Sequence, residues 1–140
     1  MPVEQGELDW NGQLIRDFRE HGGQITQGGL KGANVVLLTT TGAKTGEPRT
    51  IPLGYTRDGD TLIVVGSNSG KVEHPQWLAN IAANPTVTVE VGTDKFTGTA
   101  KIADGAERER LWAIHTAAIP FFLEYEKQVE RQLQVVTLER

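Results

Sequence analysis

The sequence predicts an α+β fold in which five or six mostly antiparallel strands form a small closed or split β-barrel with flanking helices. Three observations carry this prediction. Short β-branched runs alternate between apolar and polar residues, and turn motifs such as Asp58-Gly59 separate them. Only two long helical patterns, at 75–83 and 105–118, interrupt the strands. Because strands and helices do not alternate regularly, the sequence disfavours a doubly wound parallel sheet.

The first predicted element is an amphipathic helix from Leu8 to Glu20, ended by the glycines at 22 and 23. We divide the chain into an N-terminal helical arm, residues 1–26, and a barrel domain, residues 27–140, within one globular unit. The helix is expected to pack on the barrel. A mobile or membrane-touching arm is the alternative, which the lack of a basic polar face disfavours.

The strands are predicted from β-branched and apolar runs, two of which, at 86–91 and 95–102, alternate clearly between apolar and polar residues. They span 35–40, 49–56, 61–65, 86–91, 95–102 and 133–138. The first two are expected to pair antiparallel through a turn rich in glycine and proline. The Asp58-Gly59 turn joins the second strand to the third as a hairpin.

Two helices are predicted between the strands. The helix at 75–83 ends before Asn84-Pro85, because the residue before a proline disfavours the helical conformation. The next helix opens with a predicted capping box formed by Asp104 and Glu107. Its apolar stripe includes His115, which we expect to be a half-buried structural residue. A shorter helical segment follows.

The stretch from 39 to 53 joins the first two strands and places two cations, Lys44 and Arg49, at one end of the sheet. Two cations held close together favour an anionic ligand. The motif Gly42-Ala43-Lys44-Thr45 lacks the glycine that a P-loop requires immediately before its lysine. The anion is therefore not expected to be a nucleotide triphosphate.

The alternation along the second strand indicates the shape of the ligand. Successive side chains point to opposite faces, which gives a core set, Ile51, Leu53 and Tyr55, and a nearly bare set, Thr50, Pro52 and Gly54. Proline cannot donate to a strand ladder, so it also favours an edge strand. We therefore expect a planar ligand with a phosphate or carboxylate tail, its ring against 50–54 and its tail at the two cations.

Composition excludes several function classes. The 140 residues include no cysteine, which excludes disulfides and thiol nucleophiles, and no histidine has a second ligand at metal spacing, so no metal site is expected. The net charge of −4 argues against nucleic-acid partners. No run is apolar for long enough to span a membrane. We expect a cytoplasmic protein, with peripheral contact at the inner face of the cell membrane as an open alternative.

The chain shows no Ser-His-acid arrangement and no acid/base pair. An enzyme without its own reactive groups takes its reactivity from a bound redox cofactor, and the protein then supplies binding and orientation. A binding module that performs no reaction would have the same residues.

Taken together, the motifs resemble the deazaflavin-dependent nitroreductase family, which are actinobacterial split-barrel proteins that bind coenzyme F420. The likeness covers about residues 18–138. The motifs that carry it are Leu37 to Gly46, Arg49 to Leu53, Asp58 to Asp60, Val64 to Ser67, His74 to Trp77 with Asn80, and Ala83 to Pro85. The resemblance implies an FMN-binding-protein-like split β-barrel.

The resemblance also implies where F420, a flat tricycle with a phospholactyl-oligoglutamate tail, is held. The positions that match residues around the tail and the ring are Ala43, Lys44, Thr45, Arg49, Thr50, Ile51, Pro52, Leu53 and Gly54. The positions that match residues bordering the ring are Val65, Gly66, Ser67 and Asn68. The positions that match contacts from the helix are Gln76, Trp77, Leu78, Ala79 and Asn80.

The implied reaction is hydride transfer from the reduced deazaflavin to a small electron-poor acceptor, a quinone, nitroaromatic or conjugated enone. Ser67 matches a hydrogen-bonding group that orients or protonates the reactants. The positions that match the acceptor wall are Ile119, Phe122 and Tyr125. In the member of the family that activates nitro drugs this wall is rich in tyrosine, so the more apolar wall here makes a quinone as credible as a nitroaromatic.

Two further readings stay open. One is a split-barrel reductase that uses FMN, whose binding requires a different pattern of phosphate-binding residues. The other is a carrier that binds F420 without a productive substrate. A monomer or weak homodimer is expected in each case.

Overall fold

The computed structural model describes residues 10–26, 28, 31–66 and 75–140. The strands are β1 (Val35–Thr41), β2 (Pro48–Gly54), β3 (Thr56–Asp58), β4 (Thr61–Gly66), β5 (Thr86–Val91), β6 (Asp94–Ile102) and β7 (Gln134–Glu139). The helices are α1 (Trp10–Glu20), α2 (Gln76–Ala83), α3 (Gly105–Ala118) and α4 (Phe122–Gln128). The predicted strands and helices are thus confirmed within one or two residues at their ends, with one exception at residues 49–56. The predicted start of the first helix at Leu8 lies outside the described residues.

All strand pairs in the described residues are antiparallel, and they form a 7-stranded sheet in the order β2-β1-β5-β6-β7-β4-β3. The prediction of one strand over 49–56 is wrong, because the ladder to β1 ends at Gly54 and Thr56 pairs with Ile63 of β4 instead. Tyr55 alone separates β2 from β3, and its N–H donates to the Asn34 carbonyl oxygen at 3.2 Å.

This connection explains the shape of the sheet. β2 and β3 are its two outermost strands, yet a single residue joins them, so the sheet must curl until its edges approach one another. The result is a split barrel, as predicted. Pro52 lies in the edge strand β2. No strand pairs with the outer side of β2, so the missing N–H of the proline costs no hydrogen bond there.

The strands are apolar on both faces because different layers cover each face. Val36 and Leu38 of β1 point into the barrel, where Trp77 and Ile81 of α2 also pack. The intervening Leu37 packs under α1. On β4, Ile63 and Val65 pack instead against α3, through Leu111 and Trp112. Two-sided burial accounts for the continuous apolar runs in the sequence.

Helix α1 packs on the barrel as expected, through Leu14 and Phe18. It ends where the glycines predict, with Gly23 at φ 92° and its N–H bonded to the Phe18 carbonyl oxygen at 2.8 Å. Arg19 then makes two hydrogen bonds, of 2.8 and 3.1 Å, to the carboxylate of Glu90 on β5. These bonds raise the pKa of the Arg19 guanidinium and tie the helix to the sheet.

The predicted capping box of α3 is wrong. Asp104 is the N-cap residue, but its side chain makes no capping hydrogen bond. The Glu107 carboxylate pairs with Arg110, whose guanidinium also bonds Asp58 at 2.9 Å. The competing arginine therefore takes the carboxylate that the capping box would use, and links α3 to β3.

None of the helices in the described ranges combines the length and the apolarity needed to cross a lipid bilayer.

The Arg19–Glu90 pair gives a test of how α1 is held. The variant Glu90→Gln is expected to lower the free energy of unfolding by about 1 kcal/mol, because a half-exposed arginine loses a charge-assisted bidentate contact to a mostly buried carboxylate. Denaturant titration measures this. The control Lys127→Gln removes an ion pair exposed on both sides and is expected to cost less than about 0.5 kcal/mol. Equal losses in the two variants would contradict the account.

Candidate active site

A cavity of about 1020 Å³ opens between β2, β4, α2 and α4. Most of the residues predicted to bind cofactor or acceptor line it. They are Ala43, Lys44, Thr45, Arg49, Ile51, Pro52, Leu53, Gly54, Val65, Gln76, Trp77, Asn80, Ile119, Phe122 and Tyr125. The volume lies at the upper end of the range for small-molecule sites, so the cavity has room for a large ligand.

Four of the predicted residues do not line this cavity. The Thr50 hydroxyl bonds the Thr39 hydroxyl at 2.7 Å, across the β1–β2 pair. Leu78 is buried in the barrel core and packs so closely on Gly66 that a Cβ there would lie 2.6 Å from the leucine Cδ1. Ala79 is exposed on the outer side of α2.

Ser67 and Asn68 lie outside the described residues. Their predicted roles therefore stay predictions.

The turn between β1 and β2 carries Lys44, and Arg49 follows it as the second residue of β2. The turn is closed by hydrogen bonds from the Gly42 N–H to the Glu47 carbonyl oxygen, 2.8 Å, and from the Gly46 N–H to the Gly42 carbonyl oxygen, 2.9 Å. Lys44 and Arg49 are exposed, and neither forms an ion pair with any residue in the described ranges. Two cations without acidic partners favour the binding of an anion at this part of the cavity.

Asn80 fixes the position of this turn. Its side chain is buried, and its Oδ1 accepts the Ala43 N–H at 3.0 Å while its Nδ2 donates to the Thr40 hydroxyl at 3.0 Å. Both polar ends of the amide are thus used within the protein. Asn80 lines the cavity, but its hydrogen bonds make it a positioning residue for the turn.

Aromatic and apolar residues, in place of cations, line the cavity where α3 ends and α4 begins. The rings of Phe122 and Tyr125 meet edge to face with centroids 5.6 Å apart, and Phe121 and Tyr125 do so at 4.9 Å. Together with Ile119 they form an apolar wall, which we call the aromatic wall. Phe121 is 59% exposed, which leaves an aromatic ring at the rim of the cavity.

His115 supports the aromatic wall from behind. It is fully buried, not half-buried as predicted, because α3 presses it against β3 and α4. Its Nδ1 lies 2.8 Å from the Thr56 hydroxyl, and its ring meets Phe122 at 4.5 Å between centroids. Within the described residues its Nε2 has no hydrogen-bond partner. Burial lowers the pKa of His115 to about 4, so the imidazole is neutral near pH 7.

Sequence reasoning missed ten of the residues that line the cavity, and two of them, Asn11 and Asn34, have polar side chains outside the predicted motifs. Asn11 comes from α1 and Asn34 from the segment before β1. Asn11 is distant in sequence from the other lining residues, and no local pattern relates either asparagine to a ligand. The N-terminal helix therefore contributes to the wall of the cavity as well as to the core.

The split barrel with its cavity is a fold that the chain shares with an F420-H2 dependent reductase of solved structure. The model of one family, the F420H(2)-dependent quinone reductases, matches residues 12–140. This chain belongs to that family. The family resemblance seen in the sequence is confirmed.

Individual relatives agree with this assignment. The chain is 40% identical over 108 residues to an F420H(2)-dependent quinone reductase from Mycobacterium tuberculosis (strain ATCC 25618 / H37Rv), a match covering 75% of this chain and 72% of that protein. The solved structure of an F420-H2 dependent reductase, FDR-A, has a TM-score of 0.70 at 37% identity, covering 76% of this chain and 94% of that one.

A further solved relative is described as a domain-swapped dimer. It has a TM-score of 0.73 at 34% identity and covers 91% of this chain and 95% of its own. The oligomeric state of the present chain stays a prediction.

The buried imidazole predicts how stability depends on pH. The unfolded chain takes up a proton at His115 near pH 6.5, whereas the folded chain resists protonation until about pH 4. The unfolded state thus binds more protons in this window, and stability falls as the pH is lowered through it, by up to about 3 kcal/mol from this residue.

Denaturant titrations between pH 7 and pH 4 on the wild type and on His115→Gln measure this contribution. The variant keeps a polar side chain that does not titrate, so it is expected to lose less stability on acidification. Parallel curves for the two proteins would contradict the burial of an uncharged His115.

Proposed function

We propose that this chain transfers a hydride from reduced F420 to a quinone. The observation that carries the proposal is that one cavity is lined both by two cations that have no acidic partner among the described residues and by the aromatic wall. The first feature suits the anionic tail of F420, and the second suits an apolar acceptor. The name of the family to which the chain belongs supports both assignments.

The residues present fit the cofactor. Lys44 and Arg49 supply the positive charge that a phosphate and carboxylates need, and the planar guanidinium can hold two oxygens at once. Residues 51–54 are half-buried and line the same cavity, so they are available for contact with the tricycle. A volume of about 1020 Å³ accommodates a ring system and the first part of its tail together.

When bound, the reduced cofactor supplies a hydride, and the quinone becomes a hydroquinone by taking that hydride and one proton, while the cofactor returns to its oxidised form with loss of one proton. The protein's part is to bind and to align. Asn80 holds the Ala43 N–H and so fixes the turn that carries Lys44. Val65 and Trp77 are buried apolar residues that keep water from the inner wall. Alignment of donor and acceptor then accounts for most of the acceleration.

The aromatic wall favours a quinone as acceptor. Ile119 and Phe122 offer no hydrogen bond to a nitro group, and Tyr125 alone offers a hydroxyl. An apolar wall stacks against a flat conjugated ring whatever its polar substituents. The wall therefore suits a quinone, and the name of the family supports a quinone in preference to a nitroaromatic or a conjugated enone.

The test is to mix the purified protein with reduced F420 and, separately, with a quinone, a nitroaromatic and a conjugated enone, and to follow the absorbance of oxidised F420. Fast oxidation with the quinone is the expected result. Binding of F420 without oxidation by any acceptor would favour a carrier. Activity that requires FMN in place of F420 would favour the FMN-dependent alternative.

The cations give a prediction about the cofactor. Arg49→Gln and Lys44→Gln are each expected to weaken F420 binding by about tenfold, the scale of one lost charge-assisted hydrogen bond. Fluorescence titration of F420 measures the affinity. The control Lys101→Gln alters an exposed lysine on β6 and is expected to change nothing. A deazaflavin without the phosphate-bearing tail should bind equally well to the wild type and to the variants. If the variants instead bind this shorter ligand more weakly than the wild type does, the ring and not the tail lies at the cations.

Asn80 gives a separate prediction. Asn80→Leu keeps the volume but leaves the Ala43 N–H and the Thr40 hydroxyl without their partner. We expect weaker F420 binding, by about fivefold to tenfold, together with a loss of stability of about 1–3 kcal/mol. The control is Asn84→Ala, which removes a similar side-chain bond, to the Thr86 N–H, at the exposed end of the same helix. Full F420 affinity in a folded Asn80→Leu variant would show that the turn needs no support.

A further inference from the structure

A second, smaller cavity of about 300 Å³ lies beside the aromatic wall. Tyr55, Thr56 and Arg57 contribute from the start of β3, and Ile114 contributes from α3. The family assignment and the proposed reaction assign no role to this cavity. Its position next to the wall that is proposed to bind the acceptor raises the question of what it holds.

The two cavities are adjacent. Asn34, Ala118 and Ile119 line both of them, so these three residues form the boundary. Asn34 and Ala118 are exposed, which means that the boundary lies at the protein surface. A flexible chain that leaves the main cavity can therefore cross into the smaller one without displacing buried atoms.

The smaller cavity offers one cation and one amide. The Arg57 guanidinium lies over the Tyr55 ring at 5.6 Å from its centroid, and it makes no ion pair with any residue in the described part of the chain. The neighbouring Asp58 does not neutralise it, because Asp58 is paired with Arg110 at 2.9 Å. The Asn34 side chain also makes no hydrogen bond within the described ranges. The Thr56 hydroxyl, in contrast, is already taken by His115.

We propose that this cavity binds the carboxylate end of a chain substituent on the acceptor, with Arg57 as the residue that selects for it. The inference rests on the proposed function, since it places the acceptor ring at the aromatic wall beside Ile119. A cation held over an aromatic ring and an amide with unused donors suit an oxyanion, and the cavity volume holds a carboxylate with a few methylene groups. The acceptor class is then a quinone with an acidic side chain, in preference to one with a wholly apolar chain.

The experiment uses the full chain with reduced F420. The probes are 1,4-naphthoquinones that carry at C2 a saturated chain of three, six or nine carbons ending in a carboxylate, each paired with its methyl ester. At the chain length that spans the boundary, wild type is expected to have a kcat/KM for the acid about threefold to fivefold above that for the ester, mainly through KM, as suits one exposed charge contact. In Arg57→Gln this ratio is expected to fall to about one, whereas in the control Lys101→Gln it is expected to remain.

A ratio near one at all three lengths in the wild type would overturn the inference, and so would an unchanged ratio in Arg57→Gln. Both results leave the proposed function intact as long as the esters are reduced. If the wild type reduces neither the esters nor 2-methyl-1,4-naphthoquinone, the proposed function fails, and this inference fails with it.

Discussion

The single-residue connection at Tyr55 is the constraint on which the rest of the molecule depends. Because it joins the two outermost strands of the sheet, the sheet cannot lie flat, and its edges are brought together. β2 then faces β4 across a gap that α2 and α4 border. The cavity is the space left by an incomplete barrel, and the smaller cavity lies directly at Tyr55. Shape and ligand binding thus have one structural cause.

The residues around the cavity are of two kinds: buried residues that support its walls, and exposed residues that can bind a ligand. Asn80 and His115 are buried and each hydrogen-bonds to another part of the protein; Asn80 supports the turn at the cavity, and His115 supports the aromatic wall. Lys44, Arg49 and Phe121 are exposed and have their binding groups available. This division is expected where a cofactor supplies the reactivity, because the protein then needs only to hold two flat molecules in alignment.

Local pattern was enough to place nearly every strand and helix, since alternation and turn residues report directly on backbone conformation. It failed at Tyr55, because an aromatic residue suits a strand and Gly54 before it was assigned to the bare face of the same strand. The capping box failed because Arg110, a turn further along α3, competes for the Glu107 carboxylate. The predicted cofactor set included Leu78, but this residue lies on the face of α2 that packs into the core. Asn11 could not be predicted at all, because the cavity joins segments that only the tertiary fold brings together.

The most direct test is a crystal structure of the protein with oxidised F420 bound. The account predicts that tail oxygens lie within hydrogen-bonding distance of the Lys44 Nζ and the Arg49 guanidinium, with the tricycle along the wall formed by 51–54. A cofactor whose tail leaves the cavity on another side, with both cations facing solvent, would contradict it.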